Sequence, residues 1–220
     1  MRTIATKRLV QIPADNIYIE GMLELPEKTC GLVLFSHGSG SSRHSPRNNY
    51  VAQVLRNSGI GTLLMDLLTP EEDLDVQTRF DIPLLTRRLL AATHWVKNES
   101  LTQNLPIGYF GASTGAASAL QAAVADSNEI SAVVSRGGRP DLAGAYDLSH
   151  IKCPTLLLVG GYDDVVIELN KEAYELMHCP KDIVIISGAT HLFVEPGTLE
   201  EVARQAAIWF RQYLKVSNIS

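Results

Sequence analysis

The chain has 220 residues, 45% of them hydrophobic and 20% charged, which fits one soluble α/β domain able to bury a layered core without staples. A formal charge of −5, with no long basic runs, argues against a nucleic-acid partner. Cys30, Cys153 and Cys179 are an odd set with no C-x-x-C spacing, so they suggest a reducing compartment, no disulfide framework and no metal site. No segment reads as a signal peptide or a membrane span, and the expectation is a cytoplasmic protein, monomer or homodimer.

In chain order, residues 8–13 and 17–25 alternate as strands, with Ala14-Asp15-Asn16 as the turn of a hairpin. The apolar run 30–36 predicts a buried parallel strand. From there the pattern alternates. Helical spacing is expected over 50–57, 79–97, 114–125, 168–177 and 199–213. Strands are expected over 61–65, 107–110, 130–135, 155–159 and 183–186. Thr198 and Glu201 read as a capping box at the start of the last helix. Antiparallel strands followed by β/α alternation predict an α/β fold: a mostly parallel central sheet of about eight strands, with helices on both faces. No repeat or linker interrupts it, so residues 1–220 are expected to form a single domain. The longest irregular stretches, 38–49, 67–78 and 137–154, all follow strands, where open α/β sheets place their binding crevice.

Gly111-Ala-Ser113-Thr-Gly115 is a G-x-S-x-G sequence between an apolar strand and a small-residue helix. So sharp a turn strains the backbone of Ser113 and requires neighbours without side chains two residues away on either side. Ser113 is therefore the candidate nucleophile, and the Thr114 N–H a donor to an oxyanion. In this arrangement the acid and then the base follow the nucleophile along the chain. His178 ends a helix, where a cation complements the dipole, whereas His191 lies on the loop after the last strand and is the candidate base. Asp163, at the end of the preceding strand, is the candidate orienting acid, with the adjacent Asp164 as the alternative.

The His37-Gly38-Ser39-Gly40 loop should supply the second oxyanion donor, Ser39 N–H first and Gly40 second, with His37 bracing the loop. Asp66 is expected to fix that loop. Arg43, Arg47 and Arg139 read as solvated arginines, and Glu71, Glu72, Asp73 and Asp75 as a solvated acidic tip. Arg136 ends a strand and precedes two glycines. It is a candidate for holding a substrate carboxylate, or else an ion pair with Asp141 or the loop around Glu71.

Taken together, His37-Gly38-Ser39-Gly40, Gly111-Ala-Ser113-Thr-Gly115, Gly160-Gly161-Tyr-Asp163 and Ala189-Thr-His191 resemble the dienelactone hydrolase family of the α/β-hydrolases. The resemblance runs from the second strand to the last helix. It implies an α/β-hydrolase fold and a Ser113–Asp163–His191 triad. Characterised dienelactone hydrolases use a cysteine nucleophile, and this chain has Ser113, so the resemblance implies a serine esterase. Only 136–154 is free for an inserted cap, so no cap domain is expected and the site should be open. The expected substrate is a small ester, lactone or thioester, with no metal or organic cofactor. The competing reading is a non-catalytic scaffold of the same fold that binds a small ligand or partner.

Overall fold

The computed structural model describes residues 3–215. Eight strands form one sheet: β1 (Ile4–Ala14), β2 (Ile17–Pro26), β3 (Leu32–Ser36), β4 (Gly61–Met65), β5 (Ile107–Ala112), β6 (Ile130–Arg136), β7 (Thr155–Gly160) and β8 (Lys181–Ile186). Their spatial order is β1-β2-β4-β3-β5-β6-β7-β8. β1 pairs antiparallel with β2, and β2 antiparallel with β4, while every pair from β4 to β8 is parallel. The hairpin closes on Asp15 and Asn16, since Ala14 pairs with Ile17, and Asp15 takes φ 53° as a two-residue turn requires.

Six α-helices cover the sheet: α1 (Pro46–Asn57), α2 (Ile82–Asn98), α3 (Thr114–Ala125), α4 (Ala145–His150), α5 (Asp164–Leu176) and α6 (Thr198–Tyr213). Strand periodicity sorts the core into two layers. Val33, Phe35, Phe110, Ala132, Val134 and Leu158 face α1 and α6. Leu32, Leu34, Tyr109, Val133 and Leu157 face the opposite way, onto α2, α3 and their neighbours. The fully buried Phe35, Phe110, Phe210 and Leu55 each contribute about 1.5–3 kcal/mol by leaving water.

Two helices begin four residues before the periodicity predicts. In α1, Ser45 caps the Asn48 N–H at 3.3 Å and Pro46 occupies the first turn. In α5 the polar Asp164 opens the helix ahead of its apolar stripe. The predicted capping box on the last helix does not form. Gly197 is its N-cap, and Thr198 Oγ1 donates to the Glu195 carbonyl at 2.7 Å, ahead of the helix. The stretch 137–154 folds into a 3₁₀ turn (Pro140–Ala143) and the short α4, with no cap domain.

The order β4-β3-β5 makes the chain reverse its direction of growth between β3 and β5. The loops after these two strands flank the crevice that such a switch point opens.

Candidate active site

Ser113 stands between β5 and α3 with φ 52° and ψ −122°, a region closed to ordinary L-residues at a cost of about 1–3 kcal/mol. The reason is spatial. A Cβ on Gly111 would lie 2.5 Å from Ala116 Cα, and one on Gly115 would lie 2.2 Å from the Ser36 carbonyl oxygen. The strand can turn into the helix, and the helix can lie against β3, only because both positions are bare. The Ser113 N–H is held by the Arg136 carbonyl at 3.2 Å, and its own carbonyl accepts from Arg139 N–H at 3.1 Å. The turn is thereby fixed to the neighbouring strand β6.

Asp163 ends the turn after β7 in the N-cap position of α5, yet its carboxylate makes no cap. It reaches His191 Nδ1 at 2.6 Å. Nδ1 must then carry the proton, which leaves the Nε2 lone pair as the basic site of the neutral ring. Asp164 is exposed in the first turn of α5, where a negative charge suits the helix dipole. His178 is exposed just beyond the end of α5.

The loop that carries His191 has a brace the sequence reading missed. Glu195 accepts from Thr190 N–H at 3.0 Å and from Thr190 Oγ1 at 2.7 Å. These bonds hold its carboxyl below the usual range. A T-x₄-E spacing on a short loop after the last strand was the available signal. The loop also packs on β6: a Cβ on Gly137, which sits at φ 50°, would lie 3.2 Å from the His191 carbonyl oxygen. The two glycines after Arg136 therefore admit protein, with Gly138 closed off by Ser135 and Ala116, and do not open a path for ligand.

In the loop after β3, His37 is 5% exposed and neutral, its pKa lowered by burial. Its Nδ1–H donates to the Gly38 carbonyl at 3.0 Å, and its Nε2 accepts from Leu67 N–H at 3.1 Å. It ties the loop after β3 to the loop after β4, as bracing requires. Gly38 comes so close to the elbow that a Cβ would stand 3.0 Å from Ser113 Cβ. Ser39 N–H is directed at Thr114 Oγ1, at 3.0 Å, so that hydroxyl holds the donor expected for the oxyanion. Gly40, at φ 64°, takes the third place in a turn closed by Ser41 N–H to the Gly38 carbonyl at 3.1 Å. Beside this loop lies a cleft of about 140 Å³ lined by His37, Ser42, Asp66, Leu68, Thr69 and Asp73 among others.

Several expected surface charges prove to be structural. Arg43 is half-buried and pairs with Asp66 and Glu20, and its N–H donates to Asp66 Oδ1 at 2.7 Å, so Asp66 ties down the stretch that follows β3. Arg139 forks onto Asp141 at 2.8 and 2.7 Å. In the acidic tip, Glu72 holds Arg88 at 2.9 Å and Asp73 holds Arg79 at 3.0 Å. Arg136 pairs with neither Asp141 nor that tip: it is 7% exposed, beside Phe193. Arg47 is half-buried, with Nε buried. Among the described residues no group of three His, Cys, Asp or Glu side chains is placed to hold a metal, and no helix is long and apolar enough to cross a membrane.

The profile of the dienelactone hydrolase family matches residues 62–215. A Mycobacterium tuberculosis (strain H37Rv) protein named "putative phosphoribosyl transferase" is 53% identical over 205 residues. That match covers 93% of this chain and 46% of the other, so the chain spans about half the length of the curated relatives it matches. Among solved structures, a dienelactone hydrolase from Anabaena variabilis ATCC 29413 superposes with a TM-score of 0.92 at 51% identity, covering 96% of this chain and 99% of that one. Est1E from Butyrivibrio proteoclasticus superposes at 0.79 with 17% identity, covering 93% and 98%, a likeness that speaks for the fold alone. By its family profile and by its likeness to the Anabaena enzyme, the chain belongs to the dienelactone hydrolase family of the α/β-hydrolases.

Proposed function

We propose that the chain is a serine hydrolase that cleaves a carboxylic ester, lactone or thioester through an acyl-enzyme on Ser113. The observation that carries this is the Asp163–His191 pair at 2.6 Å, on the loops after β7 and β8, with a serine held at φ 52° on the loop after β5. In this reading His191 Nε2 takes the Ser113 proton as Oγ attacks the carbonyl. Asp163 keeps the ring in the required tautomer and stabilises the imidazolium. The Thr114 N–H, unpaired within the helix because it lies in the first turn, receives the developing oxyanion. Ser39 N–H joins it as the oxyanion displaces the Thr114 hydroxyl. His191 then returns the proton to the leaving oxygen or sulfur, and water repeats the attack on the acyl-enzyme.

A serine nucleophile with no cysteine at the elbow favours a general ester hydrolase over a dienelactone specialist. The phosphoribosyl transferase name of the mycobacterial relatives belongs to proteins more than twice the matched length. The His–Asp pair beside a strained serine fits acyl transfer to water. A binding scaffold of the same fold has no use for the strain at Ser113.

The test is Ser113→Ala with an activated ester. Hydrolysis should fall by at least about 10³-fold while the melting temperature is kept, and a fluorophosphonate probe should label wild type alone. Retained turnover at unchanged stability would remove Ser113 from the mechanism.

A further inference from the structure

Arg136 continues the side of β6 that carries Ala132 and Val134, so its side chain enters the layer beneath α1 and α6 at the strand's C-terminal end. It is 7% exposed, and its Nε and Nη1 are buried with no acceptor in hydrogen-bond reach among the described residues. Its guanidinium carbon stands 5.9 Å from the centre of the Phe193 ring, two residues past His191. Arg47, in the first turn of α1, also buries its Nε without a partner, and Asn48 beside it does the same with Oδ1. Burial, and then the positive charge of Arg47, lower the Arg136 guanidinium to about 10.

This contrasts with the other buried or half-buried arginines. Arg43 has Asp66 and Glu20, Arg56 has Glu24, Arg88 has Glu72 and Asp15, and Arg139 has Asp141. Each of these four has a carboxylate on its guanidinium, although Arg43 and Arg88 also leave a buried Nε unbonded; what sets Arg136 apart is that two of its nitrogens are buried unbonded and no carboxylate faces it. At Arg136 the neighbour is a second cation, and an uncompensated buried charge is among the costliest features a fold can carry. The first turn of α1 adds the positive end of a twelve-residue helix, with Arg47 N–H in the unpaired first turn.

We propose that Arg47 and Arg136 form an oxyanion-binding site between the first turn of α1 and the His191 loop, beside the triad, for a carboxylate or phosphate group. Both groups match the planar fork of a guanidinium and bring the negative charge that these two side chains lack. The oxyanion is either a substituent of the substrate or a free ion that docks under Phe193 and steadies the loop carrying His191. The site goes beyond the hydrolytic reading, and only the ester arm of its test rests on that reading.

The first arm uses the full chain with Ser113→Ala, titrated with inorganic phosphate and with succinate at fixed ionic strength, and followed by calorimetry and melting temperature. Saturable binding with a mass-action rise in melting temperature is expected. Arg136→Met and Arg47→Gln should each weaken it at least tenfold. Should Arg136→Met fail to fold, Arg47→Gln, at the half-exposed helix end, carries the test. The second arm compares matched esters bearing a carboxylate, a phosphate or a neutral group. If the oxyanion belongs to the substrate, one anionic ester is preferred, and Arg136→Met lowers the anionic-to-neutral ratio of kcat/KM at least tenfold. If it is a free ion, the ratio stays near one while the first arm still shows binding. Absence of any Arg136- or Arg47-dependent anion binding, with an unchanged ester ratio, overturns the site. Binding in the first arm with no ester cleaved in the second would leave the site standing and remove the hydrolytic reading.

Discussion

Asp163 and Asp164 are adjacent carboxylates that the backbone sends to different surroundings. Asp163 sits at φ −107° and ψ 62°, outside helical geometry, and turns its oxygen onto His191. Asp164 is already helical and faces solvent. In the proposed mechanism an amide at 163 would keep the shape yet offer a donor where the ring needs an acceptor, so His191 would lose the tautomer that mechanism requires. Asp163→Asn should therefore lower kcat/KM at least about tenfold more than Asp164→Asn. Steady-state kinetics of both variants on one activated ester checks this, and the reverse order would transfer the orienting role to Asp164. Its place just past the strand predicted over 155–159 favoured Asp163 in the sequence. Nothing there showed that an N-cap residue would leave the helix end uncapped.

Among the elements, the eight strands and the elbow were legible because each depends on local patterning. Short apolar runs give buried strands, and bare positions at 111 and 115 give a turn no other residues could make. Helix starts were less legible. At Pro46 the first turn of α1 is polar, so periodicity registers only from Tyr50, although the Ser45-Pro46 pair is a start signal in its own right. The sequence pointed Asp66 at the loop after β3, but it did not show that Arg43 would be its partner or that Glu20 would share it, since the pairing joins β2 to the ends of β3 and β4 across the sheet. The same holds for the lack of a carboxylate at Arg136. Where α3 meets β3 the packing makes a sharp claim. A methyl at Gly115 would stand 2.2 Å from the Ser36 carbonyl oxygen and 2.4 Å from that of His37, both backbone atoms with no rotamer to escape by. Gly115→Ala should destabilise by about 1–3 kcal/mol or more. Urea unfolding measures this, and a loss within about 0.5 kcal/mol, the range of neutral surface changes, would mean that the β3 loop yields easily.

For the molecule as a whole, His37 makes stability depend on pH. Its Nδ1–H and Nε2 join the loops after β3 and β4 at the switch point, and burial lowers its pKa from the usual 6.5. The unfolded chain therefore takes up this proton at a higher pH than the folded one. Stability from His37 is complete above the unfolded pKa and is lost as pH falls through 6.5 toward the lower folded value. The slope approaches about 1.4 kcal/mol per pH unit for one proton. The structural event is definite: a proton on Nε2 removes the acceptor for Leu67 N–H, so the loop after β3 loses its tie to the loop after β4. Two carboxylates with displaced pKa values stay outside this window. Glu195 and Glu201 have lowered pKa values, Glu201 down to about 2, and their contributions are lost only as pH falls below about 4.5. In His37→Gln an amide oxygen can accept from Leu67 N–H without titrating. Wild type should lose stability steadily from pH 7 to pH 5, and His37→Gln should lose distinctly less over the same range, starting from a lower value at pH 8. Denaturant unfolding at pH 8, 7, 6 and 5 on both proteins gives the two slopes. Parallel slopes would mean that His37 keeps its proton balance on unfolding and that the acid sensitivity of the fold lies in another group.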